Sequence, residues 1–300
     1  MEDIIRQIET AYGISIKSYS QAPRGFWAET YVLITDRDKY FIKIYKDLPF
    51  ELSLRSSLDI HYQMSKQINY IPKPIKTKNN ILLHTLDNKR VAALYTYIDG
   101  TKYITNDAYE IFYLMANIYN LKIKCDSIFH FRFYAEEIIN KMQIRKYYTK
   151  SEILDNFIEH NREVFIRYWN IYKNLVDDLS KKNNKYYLTH GDIAVNLMID
   201  KNKQVFIVDW DRIHLGPIER DLREFIDINT DISKLENIAK NVGLDWRFNK
   251  EYHNYFILHT LYKDLFFTDK AVQQDSKKIT VEGLVEYQQY IDDLHNKVII

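Results

Sequence analysis

The chain contains a single cysteine, Cys125, so no internal disulfide can form and stability must come from packing. It also lacks an excess of either charge. Forty-two basic residues face 41 acidic ones, which argues against a nucleic-acid coat or a strongly basic membrane patch. No run approaches the roughly 18 apolar residues that a membrane-spanning helix needs. The start, Met1-Glu2-Asp3-Ile4-Ile5-Arg6, has neither the basic opening nor the apolar stretch of a secretory signal. There is no Gly-x-x-x-x-Gly-Lys-Ser/Thr loop and no Cys/His cluster at zinc spacing. Internal repeats and low-complexity segments are absent too. These absences leave a soluble, reduced, cytoplasmic protein as the expectation, with neither nucleic acid nor membrane as partner.

What is present is an ordinary globular composition over 300 residues, 46% hydrophobic and 28% charged, enough for two modest lobes. Ile4, Ile5, Ile8 and Tyr12 recur at helical spacing, with Gly13 as a stop. Residues 29–35 and 39–45 read as strands joined by an Asp36-Arg37-Asp38 turn. A helix follows over 52–67, and Pro72 and Pro74 then forbid one. Strands are predicted at 81–84 and 90–97. Beyond Asp99-Gly100 helices dominate: 106–121, then one long amphipathic helix over 153–179 with Val164, Tyr168, Ile171, Leu175 and Leu179 on its apolar stripe. Short strands return between 186 and 208, and the chain from 221 is again helical. The expected fold is α+β, a small antiparallel-sheet lobe with one main helix over 1–97 and a larger helical lobe over 98–300.

The chemistry concentrates between Leu188 and Asp211. Leu197 to Ile199 and Val205 to Val208 are apolar runs separated by Asp200-Lys201-Asn202-Lys203-Gln204, a hairpin pattern. A turn centred between Asn202 and Lys203 sets Asn196 opposite Asp209 at the open end of the ribbon. Asp192, four residues before Asn196, enters at that same end. Two carboxylates and an amide oxygen then make a hard-oxygen set suited to Mg²⁺ held partly by phosphates. Phosphoryl transfer needs such a metal, and a carboxylate to orient the attacking hydroxyl.

His190-Gly191-Asp192 with Asn196, then Val208-Asp209-Trp210-Asp211, resembles the catalytic and metal-binding loops of the aminoglycoside phosphotransferase and choline kinase superfamily. The continuation Gly216-Pro217-Ile218-Glu219-Arg220-Asp221-Leu222 is most similar to its spectinomycin phosphotransferase branch. The resemblance covers about residues 25–225 and is specific from 188 to 222. It implies a two-lobed protein-kinase-like fold and an ATP- or GTP-dependent kinase acting on a small-molecule hydroxyl. Asp192 would be the catalytic base, and Asn196 and Asp209 would hold Mg²⁺. His190 would brace the loop. Asp221 would anchor the catalytic loop by hydrogen bonds. Asp211 would support the metal site, hold a second metal or bind a cationic substrate. One departure stands out. Only Ile193, Ala194 and Val195 separate Asp192 from Asn196, one residue fewer than the family usually has, so the loop either tightens or binds metal less well.

Upstream, Lys43 sits in the alternating apolar strand Tyr40-Phe41-Ile42-Lys43-Ile44-Tyr45, where an inward ammonium needs an anionic partner. By resemblance it contacts the nucleotide phosphates. Its acidic helix partner is open between Glu51 and Asp59. Gly25, in Pro23-Arg24-Gly25-Phe26-Trp27-Ala28, marks the expected nucleotide-covering loop. Tyr95 to Gly100, with Tyr95 and Tyr97, resembles the hinge whose backbone holds adenine. Residues 221–300 carry 14 acidic against 10 basic side chains, which suits a cationic small-molecule alcohol. The acceptor expected is an aminoglycoside or aminocyclitol antibiotic such as spectinomycin. The alternatives are a metabolic kinase of choline, homoserine or a sugar, and a catalytically weak kinase-like binding or structural protein.

Overall fold

A computed structural model of the chain describes residues 1–22, 28–46, 51–87, 89–123, 130–133, 152–182, 185–274 and 281–298. Two compact units emerge. The first comprises Met1–Thr105, Ile118–His130 and Leu188–Leu215, the second Asn106–Asn117, Phe131–Tyr187 and Gly216–Ile300. Gly25 of the expected covering loop lies outside the described residues.

The first unit opens with α1 (Glu2–Tyr12), which Gly13 ends in the left-handed conformation at φ 70°. Strands β1 (Ser18–Gln21), β2 (Ala28–Ile34) and β3 (Lys39–Lys46) follow, then α2 (Glu51–Met64), β4 (Pro74–Ile75), β5 (His84–Thr85) and β6 (Arg90–Thr96). They form an antiparallel sheet ordered β1-β2-β3-β6-β4, with β5 also paired to β6. Side chains alternate across a strand, so β3 serves two layers. Ile42 and Ile44 pack with Ile4, Ile8 and Tyr12 of α1, whereas Tyr45 packs with Leu54 and Leu58 of α2. Lys43 shares the parity of Tyr45 and so belongs to the α2 face. Both faces being covered, β3 is buried from Ile42 to Tyr45, and the charged exception among those residues is Lys43.

Strands β7 (Gly100–Lys102), β8 (Tyr187–Thr189), β9 (Leu197–Asp200) and β10 (Val205–Ile207) come next, then a 3₁₀ turn over Trp210–Arg212 and β11 (His214–Gly216). β10, β9 and β7 form a three-stranded sheet. Gly100 opens β7 rather than merely breaking the chain. A Cβ there would stand 2.6 Å from the Ile199 carbonyl oxygen, a contact only glycine avoids. The hairpin is further tied down by Ile207 N–H donating to Tyr70 C=O at 3.0 Å.

The second unit is helical: α3 (Ala108–Tyr119), α4 (Glu152–His160), α5 (Arg162–Leu179), α6 (Glu219–Leu222), α7 (Ile232–Asn241), α8 (Lys250–Gln274), α9 (Val281–Asp292) and α10 (Leu294–Lys297). Where one helix is predicted over 153–179, there are two. Asn161 interrupts them, its buried side-chain Nδ2 donating to Phe157 C=O at 3.1 Å and Gln288 Oε1 at 2.8 Å. An asparagine amide that bonds the backbone competes with the helix ladder. The fully buried stripe of α5 is Phe165, Tyr168, Tyr172, Val176 and Leu179, shifted by one position at most places from that expected. It packs on Tyr255, Leu258 and Tyr262 of α8, and Tyr262 donates to Phe165 C=O at 2.8 Å. Among the described residues no helix is long and apolar enough to cross a membrane.

Candidate active site

The hairpin register decides where the candidate residues fall. Leu197 pairs with Ile207, Met198 with Phe206 and Ile199 with Val205. This is one residue away from the expected register. The loop holds three residues, with Lys203 left-handed at φ 63°, Lys203 N–H donating to Asp200 C=O and Asp200 N–H to Gln204 C=O, each at 3.0 Å. A three-residue loop ending in a left-handed residue is a standard hairpin solution. In consequence Asn196 faces Val208, whose N–H donates to the Asn196 carbonyl at 2.9 Å. Asp209 follows just beyond the last pair.

Asp209 is itself left-handed, at φ 65° and ψ 57°. A non-glycine residue there is strained by about 1–3 kcal/mol, and such strain clusters at functional sites. Trp210, 1% exposed, holds the turn by donating its Nε1–H to Ile207 C=O at 2.8 Å.

On the facing loop, His190 is fully buried and stacks edge-on against Trp210, with ring centroids 4.6 Å apart. Its Nε2 is 2.8 Å from Val208 C=O, and its Nδ1 accepts from Asp192 N–H at 3.2 Å. Those two partners fix a neutral tautomer with the proton on Nε2. The imidazole therefore ties the strand before Asp209 to the loop carrying Asp192. Gly191 between them has φ 88°, a conformation that suits glycine. The short loop tightens. Asn196 N–H closes a turn on Ile193 C=O at 2.9 Å, and Asn196 Nδ2 donates to Asp192 C=O at 2.7 Å. An amide committed through nitrogen keeps its oxygen for a cation or another donor.

Lys43 reaches this segment from β3. Its Nζ lies 2.5 Å from Asp209 Oδ1 and 2.9 Å from Asp211 Oδ2. Tyr45 donates its hydroxyl to Asp211 Oδ2 at 2.7 Å. Burial alone would push the Lys43 amine down, but Asp211 and Asp209 outweigh it and hold the ammonium charged well above its ordinary range. For Asp209, burial raises the carboxyl and Lys43 more than reverses it, so the group ionises below its usual range. Asp211 moves the other way: burial raises it, Lys43 opposes, and the neighbouring Asp209 charge raises it again. Of the two acids left open as helix partners of Lys43, Asp59 is exposed and the Glu51 side chain lies outside the described residues. α2 contributes His61, 2% exposed, whose Nε2 is buried without a hydrogen-bond partner among the described residues and whose pKa burial pushes down to about 3.

Tyr95 lies inside β6, its Cα paired with Phe41 on one side and Pro74 on the other. Its ring stands by Lys43 and His61, with the ammonium 5.8 Å from the ring centroid. Tyr97 falls past the strand end, beside Lys39. Asp221 is 1% exposed on the four-residue α6, in the second unit. Sequence reasoning did not single out Tyr45 or His61. Strand parity with Lys43 was a usable signal for Tyr45, while a lone histidine on an apolar helix gave none for His61.

The model of the phosphotransferase enzyme family matches residues 18–247, more than half of the chain. The chain belongs to the phosphotransferase enzyme family. Among solved structures, a spectinomycin phosphotransferase in complex with ADP and spectinomycin is similar at 18% identity and TM-score 0.74, covering 99% of this chain and 96% of that one. An amicoumacin kinase in complex with AMP-PNP, Ca²⁺ and Ami is similar at 11% identity and TM-score 0.64, over 98% and 92% of the two chains. The choline kinase of Streptococcus pneumoniae is similar at 14% identity and TM-score 0.58, over 98% of each. These likenesses establish a protein-kinase-like fold for this phosphotransferase. No curated protein matches its sequence.

The donor set of the phosphotransferase suits a divalent cation of the Mg²⁺ kind. Asp209 and Asn196 offer hard oxygens, and the Asp209 side chain is 46% exposed, accessible to an ion. Among the described residues no group of three or more His, Cys, Asp and Glu side chains is arranged to hold a metal alone. Mg²⁺ is commonly bound by one or two carboxylates plus phosphate oxygens, so a partial protein set is what it requires.

Proposed function

We propose that the chain is an ATP- and Mg²⁺-dependent O-phosphotransferase that acts in the cytoplasm on a hydroxyl of a small, cationic molecule, an aminocyclitol or aminoglycoside antibiotic such as spectinomycin being the leading acceptor. The observation that carries this reading is the meeting of Lys43 with Asp209, next to a loop on which His190 and Asn196 hold the backbone of Asp192.

In the reaction, the acceptor hydroxyl oxygen forms a bond to the terminal phosphorus as the bond to the leaving oxygen of ADP breaks. Asp192 orients that hydroxyl and takes its proton. Lys43 pairs with the phosphates. Asp209 and Asn196 would hold Mg²⁺, which supplies charge neutralisation on the phosphate oxygens. The segment after β6, from Tyr97 to Asp99, offers backbone groups outside the sheet for adenine. Residues 1–97 would bind the nucleotide, and residues 98–300 would supply the catalytic residues and bind the acceptor. Similarity of fold to a spectinomycin phosphotransferase holding ADP and its antibiotic supports both ligands. The acidic surplus of residues 221–300 supports a cationic acceptor.

A second reading, a metabolic kinase of a small amino alcohol, is favoured by structural similarity to an aminopropanol kinase, at TM-score 0.62 and 11% identity. ATP turnover screened across aminocyclitols, aminoglycosides, choline, homoserine and sugars separates the two. A resistance phenotype on expression supports the antibiotic acceptor; turnover of choline or homoserine alone, with none of the antibiotics, overturns it.

A further inference from the structure

We propose that Asp211, clamped by Tyr45, is a positioning residue that keeps Lys43 anchored when Asp209 turns to a metal. The inference rests on the phosphotransferase reading and assigns a division of labour within it.

Three observations converge. First, Lys43 and Tyr45 are two residues apart on β3, so both side chains leave the same face. They converge on one oxygen, Asp211 Oδ2, at 2.9 Å and 2.7 Å. The tyrosine hydroxyl thereby fixes the carboxylate that fixes the ammonium. Second, the two carboxylates differ in wetness. The Asp211 side chain is 18% exposed and that of Asp209 46%. The accessible one can be surrendered to an incoming ion; the enclosed one, already bonded twice, is poorly placed to gain further ligands. Third, α2 packs over this face, and among its described side chains no acid is directed to the lysine. Its contribution is the neutral imidazole of His61, and Asp59 is exposed. A buried ammonium left without an anion is strongly disfavoured, and Asp211 is the carboxylate placed to stay with Lys43 when Asp209 turns to other work.

Asp209 and Asp211 are therefore not equivalent. Asp209 exchanges its lysine bond for the metal when nucleotide arrives, and Asp211 keeps Lys43 in register with the phosphates throughout. A lysine held this way meets the nucleotide already oriented, and the entropy of ordering its four-carbon stem does not weigh on binding.

The test is a double-mutant cycle on the full chain. Affinities for ATP with Mg²⁺ and for adenosine, together with KM for ATP and for the acceptor, are measured for wild type, Asp211→Asn, Tyr45→Phe, Lys43→Ala and the two doubles with Lys43→Ala. Loss of a charge-assisted bond predicts that Asp211→Asn weakens ATP about 10-fold while adenosine binding and the acceptor KM stay put. Tyr45→Phe should weaken ATP in the same direction by less. In the Lys43→Ala background both substitutions should fall silent. Multiplying losses would mean that Asp211 acts on metal or acceptor and not through the lysine, and would overturn the inference while leaving phosphotransfer intact. An unchanged ATP affinity in Asp211→Asn would do the same. If Asp211→Asn does not fold, Tyr45→Phe, which deletes one hydroxyl, carries the cycle alone. Absence of any Mg²⁺-dependent ATP binding by wild type would overturn the functional reading and this inference together.

Discussion

Lys43 Nζ and Asp209 Oδ1 lie 2.5 Å apart although 166 residues separate them in sequence. The pair joins the centre of an N-terminal strand to the turn that ends the 197–207 hairpin. In the proposed reaction the Lys43 ammonium and a divalent ion would compete for that oxygen. The expected outcome for Asp209→Ala is loss of the Mg²⁺-dependent part of the thermal stabilisation given by ATP. Without ligand the cost in stability should be about 1–3 kcal/mol, the range for a hydrogen bond to a charged group, because Lys43 is buried but keeps its bond to Asp211. Melting curves with ATP, with and without Mg²⁺, decide it. Undiminished Mg²⁺ dependence in the variant would remove Asp209 from the metal site.

Asp192→Asn addresses the proton. The substitution keeps the shape of the loop, whose backbone bonds to His190 and Asn196 do not involve the carboxylate. Nucleotide binding should persist while kcat drops by about 10²–10⁴-fold, the usual consequence of losing a general base. Calorimetric ATP titration beside steady-state turnover reads both quantities. A variant that turns over normally, or one that loses ATP along with turnover, contradicts the assignment.

His190→Ala should injure the loop rather than the chemistry directly. The imidazole is fully buried, bonds Val208 C=O and Asp192 N–H, and packs on Trp210. Its removal leaves a cavity and takes one hydrogen-bond partner from each of two backbone groups, a combination that costs about 2–4 kcal/mol. His190→Gln, which retains one donor and one acceptor, should recover part of the stability. Urea unfolding of the three proteins tests this. Equal midpoints for wild type and His190→Ala would show that the loop does not depend on the ring.

Much of this arrangement is legible in the residues alone, and the failures have physical causes. Gly13 stops α1 as expected because only a residue tolerant of φ 70° ends a helix that way. The strand carrying Lys43 is readable because Tyr40 to Tyr45 is a short β-branched and aromatic run, broken only by Lys43, that follows a polar turn. The hairpin register is not. Turn length, not composition, sets register, and a left-handed Lys203 carries no sequence signature comparable to glycine. The break at Asn161 is hidden for a related reason: the apolar period runs through it, and what ends the helix is a tertiary bond to Gln288, 127 residues away. Lys43 announces that it needs an anion, but nothing local says that the anions are Asp209 and Asp211 rather than an acid on α2. That information resides in how the hairpin docks, through Ile207 on Tyr70 and β9 on β7.

Glu219 offers a pH test independent of the catalytic loop. It is 1% exposed at the start of α6, and burial pushes its carboxyl up to about 7 despite hydrogen bonds from Asn249 N–H at 2.9 Å and Trp246 Nε1–H at 3.2 Å. The group's ordinary value is 4.5. Between that value and about 7 the folded state holds more protons than the unfolded one, so its contribution to stability is complete below pH 4.5 and disappears as pH rises through 7. Glu219→Gln keeps an acceptor for both donors and cannot ionise. The stability of the variant relative to wild type should therefore improve from pH 5 to pH 9, by an amount on the order of 3 kcal/mol. Chemical denaturation at the two pH values measures the difference. Parallel pH profiles for the two proteins would mean that the carboxyl is already ionised, and solvated or paired, at neutral pH.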